Sequence, residues 1–482
     1  MTEKIAQATN DRRAYRLYWA IVLALYLVLV AVNMASARQR YENLQSGWSW
    51  DLAYYNQWFW ALGHGDGQIT VRPIASYAVE GPSVWKANYL APIRLIILPI
   101  HWLRPDPTTL LYFECAVFWL IVPAAAKLLI DETGDVAVSL AALILVPLIP
   151  LARPLAENDF REIQIASPFV LLAIAGWRRR HRGWAALGIA GMLACRQEWA
   201  VVVASLPLIP PKHPERPEVT MRWTRVVVYT GIVWFFFVFL GYLRLTAGKS
   251  SPRDFLNQFG GPRPTLLQTL STTSDFLWIG LSSWIFLAFL APRLSIVALP
   301  WVWTLASGKW AIRFIGAEQW HHVRYCTPFF VLFLAAALVG WSRLWSHSST
   351  LLGKSRGRAI MGLVWVLMAI WSIDGQFRMT ALMQGIPIPV PAEDVGPLWA
   401  AFAQVRPDDG VVAHYDLTAP LSSRRLLYSY IMQINEPKGW PHALPNDIRH
   451  LFLDKGRKPA EVWESQGFSK AWSGRAFEWW RR

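Results

Sequence analysis

The sequence predicts an all-α polytopic membrane protein with a small soluble α/β domain at its C-terminal end, and three observations carry that prediction. Of 482 residues, 54% are hydrophobic and only 16% charged, where a soluble chain of this length carries about 25% charged residues. Apolar runs of near-spanning length recur from Leu17 to Ile373 and then cease. Two of them flank the cluster Trp177-Arg178-Arg179-Arg180-His181-Arg182, and such clusters stay cytoplasmic because cations resist translocation.

The formal net charge of +15 does not point to nucleic acid. The basic residues fall in short loops between apolar segments (178–182, 212–225, 343–358), where they act as orientation signals and lie against anionic headgroups. Cys115, Cys195 and Cys326 stand in or beside apolar segments without paired spacing, so they read as packing residues rather than as a disulfide or zinc framework. Residues 1–16 are polar and basic, and 17–35 approach the roughly 20 residues a span needs. That pattern reads as a signal anchor with a cytoplasmic N-terminus.

Threading outward from the Arg cluster predicts crossings at 17–35, 108–130, 136–153, 163–177, 183–195, 199–211, 223–243, 275–291, 294–307, 323–341 and 359–373, about eleven in all. Residues 36–107 form a long first external loop, with 154–162 and 244–274 also external, and the C-terminus emerges outside. Tyr89 to Leu103 is apolar enough to span, yet counting it would place the Arg cluster outside. Its Pro92, Arg94 and Pro99 fit a re-entrant or interfacial helix. The expected organisation is a cytoplasmic N-terminus (1–16), a transmembrane domain (17–373) and an external cap (374–482). In the cap, Val411 to Ala413 and the runs 426–430 and 450–453 read as short strands after the turn Arg406-Pro407-Asp408-Asp409-Gly410.

Four constellations collect on the predicted external face. Leu52, Tyr55, Phe59 and Leu62 recur at helical spacing in an aromatic-rich stretch, predicting a helix lying on the membrane surface. Asp51 opens that helix, as a cap or as a functional carboxylate. In Glu157-Asn158-Asp159-Phe160-Arg161-Glu162, Asp159 and Glu162 have the spacing of a capping box; four charges at a helix mouth also suit a phosphate or a cation. Arg196-Gln197-Glu198 interrupts an apolar run, which predicts a helix break. Ionisable groups there cost a few kcal/mol each unless paired or functional. Arg196 and Glu198 form either a structural pair or a guanidinium site for a lipid-linked phosphate. Trp320-His321-His322-Val323-Arg324-Tyr325 is a weak metal signal, because no third or fourth ligand is evident. Anion binding is the favoured reading, and a divalent metal stays open; no other cofactor is expected.

These stretches together resemble a bacterial family of predicted polytopic membrane proteins of unknown function within the GT-C glycosyltransferases. The resemblance rests on Trp50-Asp51-Leu52 followed by Gln57 and Trp60, on Asp159-Phe160-Arg161, on Arg196-Gln197-Glu198-Trp199-Ala200 and on Arg324-Tyr325-Cys326-Thr327-Pro328. It runs over most of 15–345. The resemblance implies a GT-C-like fold that moves a sugar from a polyprenyl-phosphate donor to an envelope acceptor at the external face of the bacterial inner membrane. It makes Asp51 the catalytic carboxylate. Arg161, Arg196, Arg324 and His322 become phosphate ligands, with Asp159, Glu162, Glu198, Gln57, Tyr325 and His321 in support. The chain departs from the family pattern at Arg161 and Arg324, where histidine is usual, at Arg196-Gln197-Glu198 and at Asn88. The arginines keep phosphate binding but not proton transfer by histidine. The competing expectation is a non-catalytic lipid-linked-sugar transporter or an envelope scaffold. A transporter would carry paired repeats near the midplane, which the sequence lacks.

Overall fold

A computed structural model describes residues 2–45, 49–64, 71–73, 90–212, 217–242, 265–307, 323–384, 390–430, 443–456 and 459–482. Its contacts divide the chain into two units. One comprises Met1–Asn33, Tyr89–Ile93 and Glu114–Ile386; the other comprises Met34–Asn88, Arg94–Phe113 and Pro387–Arg482.

The first unit is helical. Among the described residues four helices are long and apolar enough to cross a membrane: Arg12–Glu42, Pro107–Thr133, Glu218–Tyr242 and Val323–Ala381. Others predicted as spans are shorter, including Val136–Leu148, Arg182–Cys195 and Trp199–Leu208. At about 1.5 Å per residue a helix of this length falls well short of the roughly 30 Å hydrocarbon layer. Its ends must therefore be satisfied within the protein. Leu145 runs on into a 3-10 turn over Val146–Leu148, and Ser205 into one over Leu206–Leu208.

The helix Thr327–Gln384 lies at the centre, and Phe329 to Val339 are buried without interruption. A helix apolar on every side belongs in a core. Three of its tryptophans donate indole N–H groups to neighbouring backbone carbonyls: Trp341 to Val138 at 3.0 Å, Trp345 to Thr133 at 3.3 Å and Trp365 to Ala141 at 2.8 Å. The predicted basic loop 342–358 is instead helical on both sides of a single break at Gly353, with φ 79° and ψ 161°. That conformation is open essentially to glycine alone, so one residue turns the chain where a loop was expected. A second correction concerns 244–274. A helix begins at Leu266, set by a capping box in which Thr265 and Gln268 exchange side-chain and backbone bonds.

The second unit holds a six-stranded sheet in the order β1-β3-β2-β4-β6-β5, with β1 Arg72–Pro73, β2 Gly410–His414, β3 Leu427–Tyr430, β4 Ile448–Asp454, β5 Ser469–Ser473 and β6 Phe477–Arg481. The first four pair in parallel and the last two antiparallel. Every residue of β2 is buried, as expected for a parallel strand covered on both faces. Val412, Leu451, Trp463 and Trp480 share its core. The predicted strands at 411–413, 426–430 and 450–453 coincide with β2, β3 and β4. The sheet also recruits β1 from the first loop, in register Arg72↔Tyr428 and Pro73↔Ser429. The first loop, expected to belong with the membrane helices, thus groups with the C-terminal segment through backbone pairing.

Two helices of the first loop complete this unit, Ser49–Gly63 and Ile93–Leu103. On the second, Arg94, Ile97 and His101 are buried while Leu95, Ile96, Ile100, Trp102 and Leu103 are exposed. That division is the amphipathic pattern of a helix lying along a membrane surface.

Candidate functional site

In the first unit the polar groups sit where apolar helices stop. The helix Arg182–Cys195 ends because Arg196 turns extended, with φ −156° and ψ 150°, and helix resumes at Trp199. The expected break is therefore present. The Arg196 guanidinium grips Glu198 with both prongs, Nε to Oε2 at 3.1 Å and Nη2 to Oε1, and both side chains are 6% exposed. The structural pair left open by the sequence is formed, and the fork geometry aligns Arg196.

Residues 157–161 make an irregular buried turn. Arg161 is extended, with φ −150° and ψ 136°, and precedes the short helix Glu162–Ile165. The N-cap position of that helix is Arg161, whose side chain makes no capping bond, so the helix starts two residues later than a cap at Asp159 implies. Both acids are buried instead, at 5% and 0% exposure. Glu157 accepts from Arg153 Nε at 2.8 Å. The Arg161 backbone N–H donates to Glu114 Oε2 at 2.8 Å. Glu114 is a site residue that the sequence reading missed. Its signal was present as a lone carboxylate inside the apolar helix Pro107–Phe118.

Arg324 lies in the turn preceding the long central helix, with its guanidinium carbon 4.9 Å from the Tyr325 ring centroid. Thr327 Oγ1 donates to the Arg324 carbonyl at 2.7 Å and closes that turn. The fold brings Arg161, Arg196 and Arg324 within electrostatic reach of one another, together with Glu162 and Tyr325. Burial, reinforced by Arg324 and Arg196 and opposed by Tyr325 and Glu162, pushes the Arg161 pKa well down. Guanidiniums hold their protons regardless, so gathering three cations in a dry site carries an electrostatic cost. A bound anion relieves that cost.

The second unit carries Asp51 and Gln57. Asp51 lies in the first turn of Ser49–Gly63, two residues inside its start rather than at the cap, and is half-buried. A carboxylate there is stabilised by the helix N-terminus. Gln57 is buried with both ends of its amide engaged. Nε2 donates to the Arg424 carbonyl at 3.0 Å, and Oε1 accepts from Val71 N–H at 2.7 Å. It ties the helix to the strand region at β1 and to the segment leading into β3. Beside it, Asn56 donates to Ser422 at 2.8 Å and pairs through Oδ1 with His101 Nε2 at 2.8 Å. Arg94 lies 5.2 Å and 5.1 Å from the Tyr55 and Trp58 ring centroids, a cation–π arrangement that anchors the surface helix.

His321, His322 and Asn88 lie outside the described residues. Among the described residues no group of three His, Cys, Asp or Glu is placed to hold a metal ion.

Solved structures of ArnT share this fold. The crystal structure of ArnT from Cupriavidus metallidurans bound to undecaprenyl phosphate has a TM-score of 0.57 and 10% identity, covering 96% of this chain and 97% of that one. ArnT from the same organism in the apo state has a TM-score of 0.54 and 11% identity, covering 97% and 98%. The fold is GT-C-like, with a C-terminal sheet domain. The family described as "Predicted membrane protein (DUF2079)" matches residues 40–475. None of the curated proteins matches.

Proposed function

The chain belongs to the DUF2079 family of predicted membrane proteins, and from that premise we propose that it transfers a sugar from a polyprenyl-phosphate donor to an envelope acceptor at the external membrane face. The observation that carries the proposal is the convergence of buried Arg161, Arg196 and Arg324. The chain's likeness to an ArnT crystallised with undecaprenyl phosphate supports the choice of anion.

In this reading Asp51 accepts the proton of the acceptor hydroxyl, whose oxygen forms a bond to the anomeric carbon of the sugar. The bond from that carbon to the donor phosphate oxygen breaks, and the electron pair stays on the polyprenyl phosphate. Arg161, Arg196 and Arg324 stabilise the charge developing on the leaving phosphate. His322 adds a donor, and Tyr325 and His321 assist. Glu198, Glu162 and Asp159 hold the guanidiniums in place, while Gln57 fixes the helix that presents Asp51. The cation-rich end of the bundle faces the cytoplasm, and the C-terminal domain lies outside.

Binding of undecaprenyl phosphate to the full chain in lipid nanodiscs tests the donor site. Arg196→Lys keeps the charge but loses the fork that Glu198 holds in place, and Arg324→Gln removes a charge outright. Each is expected to weaken binding about tenfold or more, equivalent to about 1.4 kcal/mol. Asp51→Asn should leave binding intact and abolish transfer. Unchanged binding in both arginine variants overturns the donor-site assignment.

A further inference from the structure

We propose that the end of the helical unit opposite the arginine site is a binding surface for anionic phospholipid. It stands independently of the sugar-transfer reading. The two sites lie at opposite ends of the same helices: Arg161 precedes Ser167–Arg178 and Arg178 ends it, while Arg182 opens Arg182–Cys195 and Arg196 follows it.

At this end the chain has gathered cations around the C-terminus of the helix Ile121–Thr133, where free carbonyls and the helix dipole attract positive charge. Arg178 makes a two-pronged bond to Glu132, at 2.7 and 2.9 Å, and donates to the Pro210 carbonyl at 2.8 Å. Lys212 Nζ donates to the carbonyls of Asp131 and Glu132 at 2.8 and 2.6 Å. Arg343 donates to the Leu290 carbonyl at 2.7 Å and lies within electrostatic reach of Arg178, Glu132 and Arg293.

Asp131 and Glu132 supply negative charge here, but among the described residues the two carboxylates face five cations, Lys127, Arg178, Arg179, Lys212 and Arg343, so positive charge is left over. Like charges held this close repel unless a counterion joins them. The Arg343 side chain is exposed, so that counterion can come from outside.

The surroundings select a lipid over a soluble anion. Arg343 rests on the carbonyl of Leu290, which is 43% exposed, beside Phe289 at 56%. A cation adjoining an uncovered apolar surface fits a headgroup phosphate whose acyl chain lies on that surface. A free phosphate would engage the charge and leave the apolar rim bare.

Native mass spectrometry of the full chain in detergent, titrated with phosphatidylglycerol or phosphatidylcholine, tests this. The wild type should retain phosphatidylglycerol at least about tenfold more tightly. Arg293→Gln combined with Arg343→Gln alters two exposed side chains and should erase the preference, whereas Arg324→Gln should preserve it. Equal retention of the two lipids by the wild type, or an unchanged preference in the double variant, overturns the proposal. Displacement of phosphatidylglycerol by millimolar inorganic phosphate alone would do so too, since it identifies a soluble-anion site.

Discussion

His101 couples a buried polar network to pH. Burial lowers its pKa from 6.5 to about 4, a shift only partly opposed by Asp106. The unfolded chain therefore takes up this proton before the folded one does. The stability that neutral His101 supports is complete above pH 6.5 and is lost as pH falls through 4. Protonation costs about 3 kcal/mol at full extent. The thermal midpoint of the purified protein should drop between pH 7 and pH 4.5, and the drop should shrink in His101→Gln, which can still donate to Asn56. An identical pH dependence in the variant would assign the acid sensitivity to other groups. The sequence showed only a histidine at the end of an apolar helix. Its partner Asn56 lies 45 positions away, and no local pattern links the two.

Helix pairs in the membrane unit close on small residues. A Cβ added at Gly188 would collide with the Ala173 backbone, and one at Gly176 with the backbone of Ala185. The hairpin of Ser167–Arg178 and Arg182–Cys195 thus packs backbone against backbone, as small residues permit in an apolar environment. Gly188→Leu should separate the two helices. Arg161 precedes the first by way of the short helix Glu162–Ile165 and Arg196 follows the second, so a displacement there spreads to the arginine cluster. We expect a loss of about 2 kcal/mol or more in stability, read as a lower midpoint in detergent, together with weaker undecaprenyl phosphate binding. A variant with normal stability and normal binding would show that this contact positions nothing. The break at Arg196-Gln197-Glu198 was legible in the sequence because charges interrupt an apolar run. The turn at Gly353 was not, because glycines also sit inside helices and only the backbone angles single this one out.

The orientation of the whole molecule can be read by chemical labelling. The native cysteines Cys115, Cys195 and Cys326 are all buried, so a single introduced cysteine reports alone. Arg182→Cys should resist an impermeant thiol reagent applied from outside intact cells, and Lys470→Cys should react. Both positions are exposed, so the contrast reflects the side of the membrane rather than burial. External labelling at 182 would invert the proposed topology.

Composition and hydropathy alone determined that the chain lives in a membrane, because burial in lipid demands long apolar runs whatever the tertiary fold. The same patterning located the break at Arg196 and the three central strands β2, β3 and β4. Tertiary structure decided what required distant residues to meet. It placed β1 of the first loop beside β3, since a two-residue strand has no period to read. It buried Glu114 against Arg161, and set Gln57 between Val71 and Arg424. It also gathered Arg161, Arg196 and Arg324, whose separation along the chain hides a proximity that only helix packing creates.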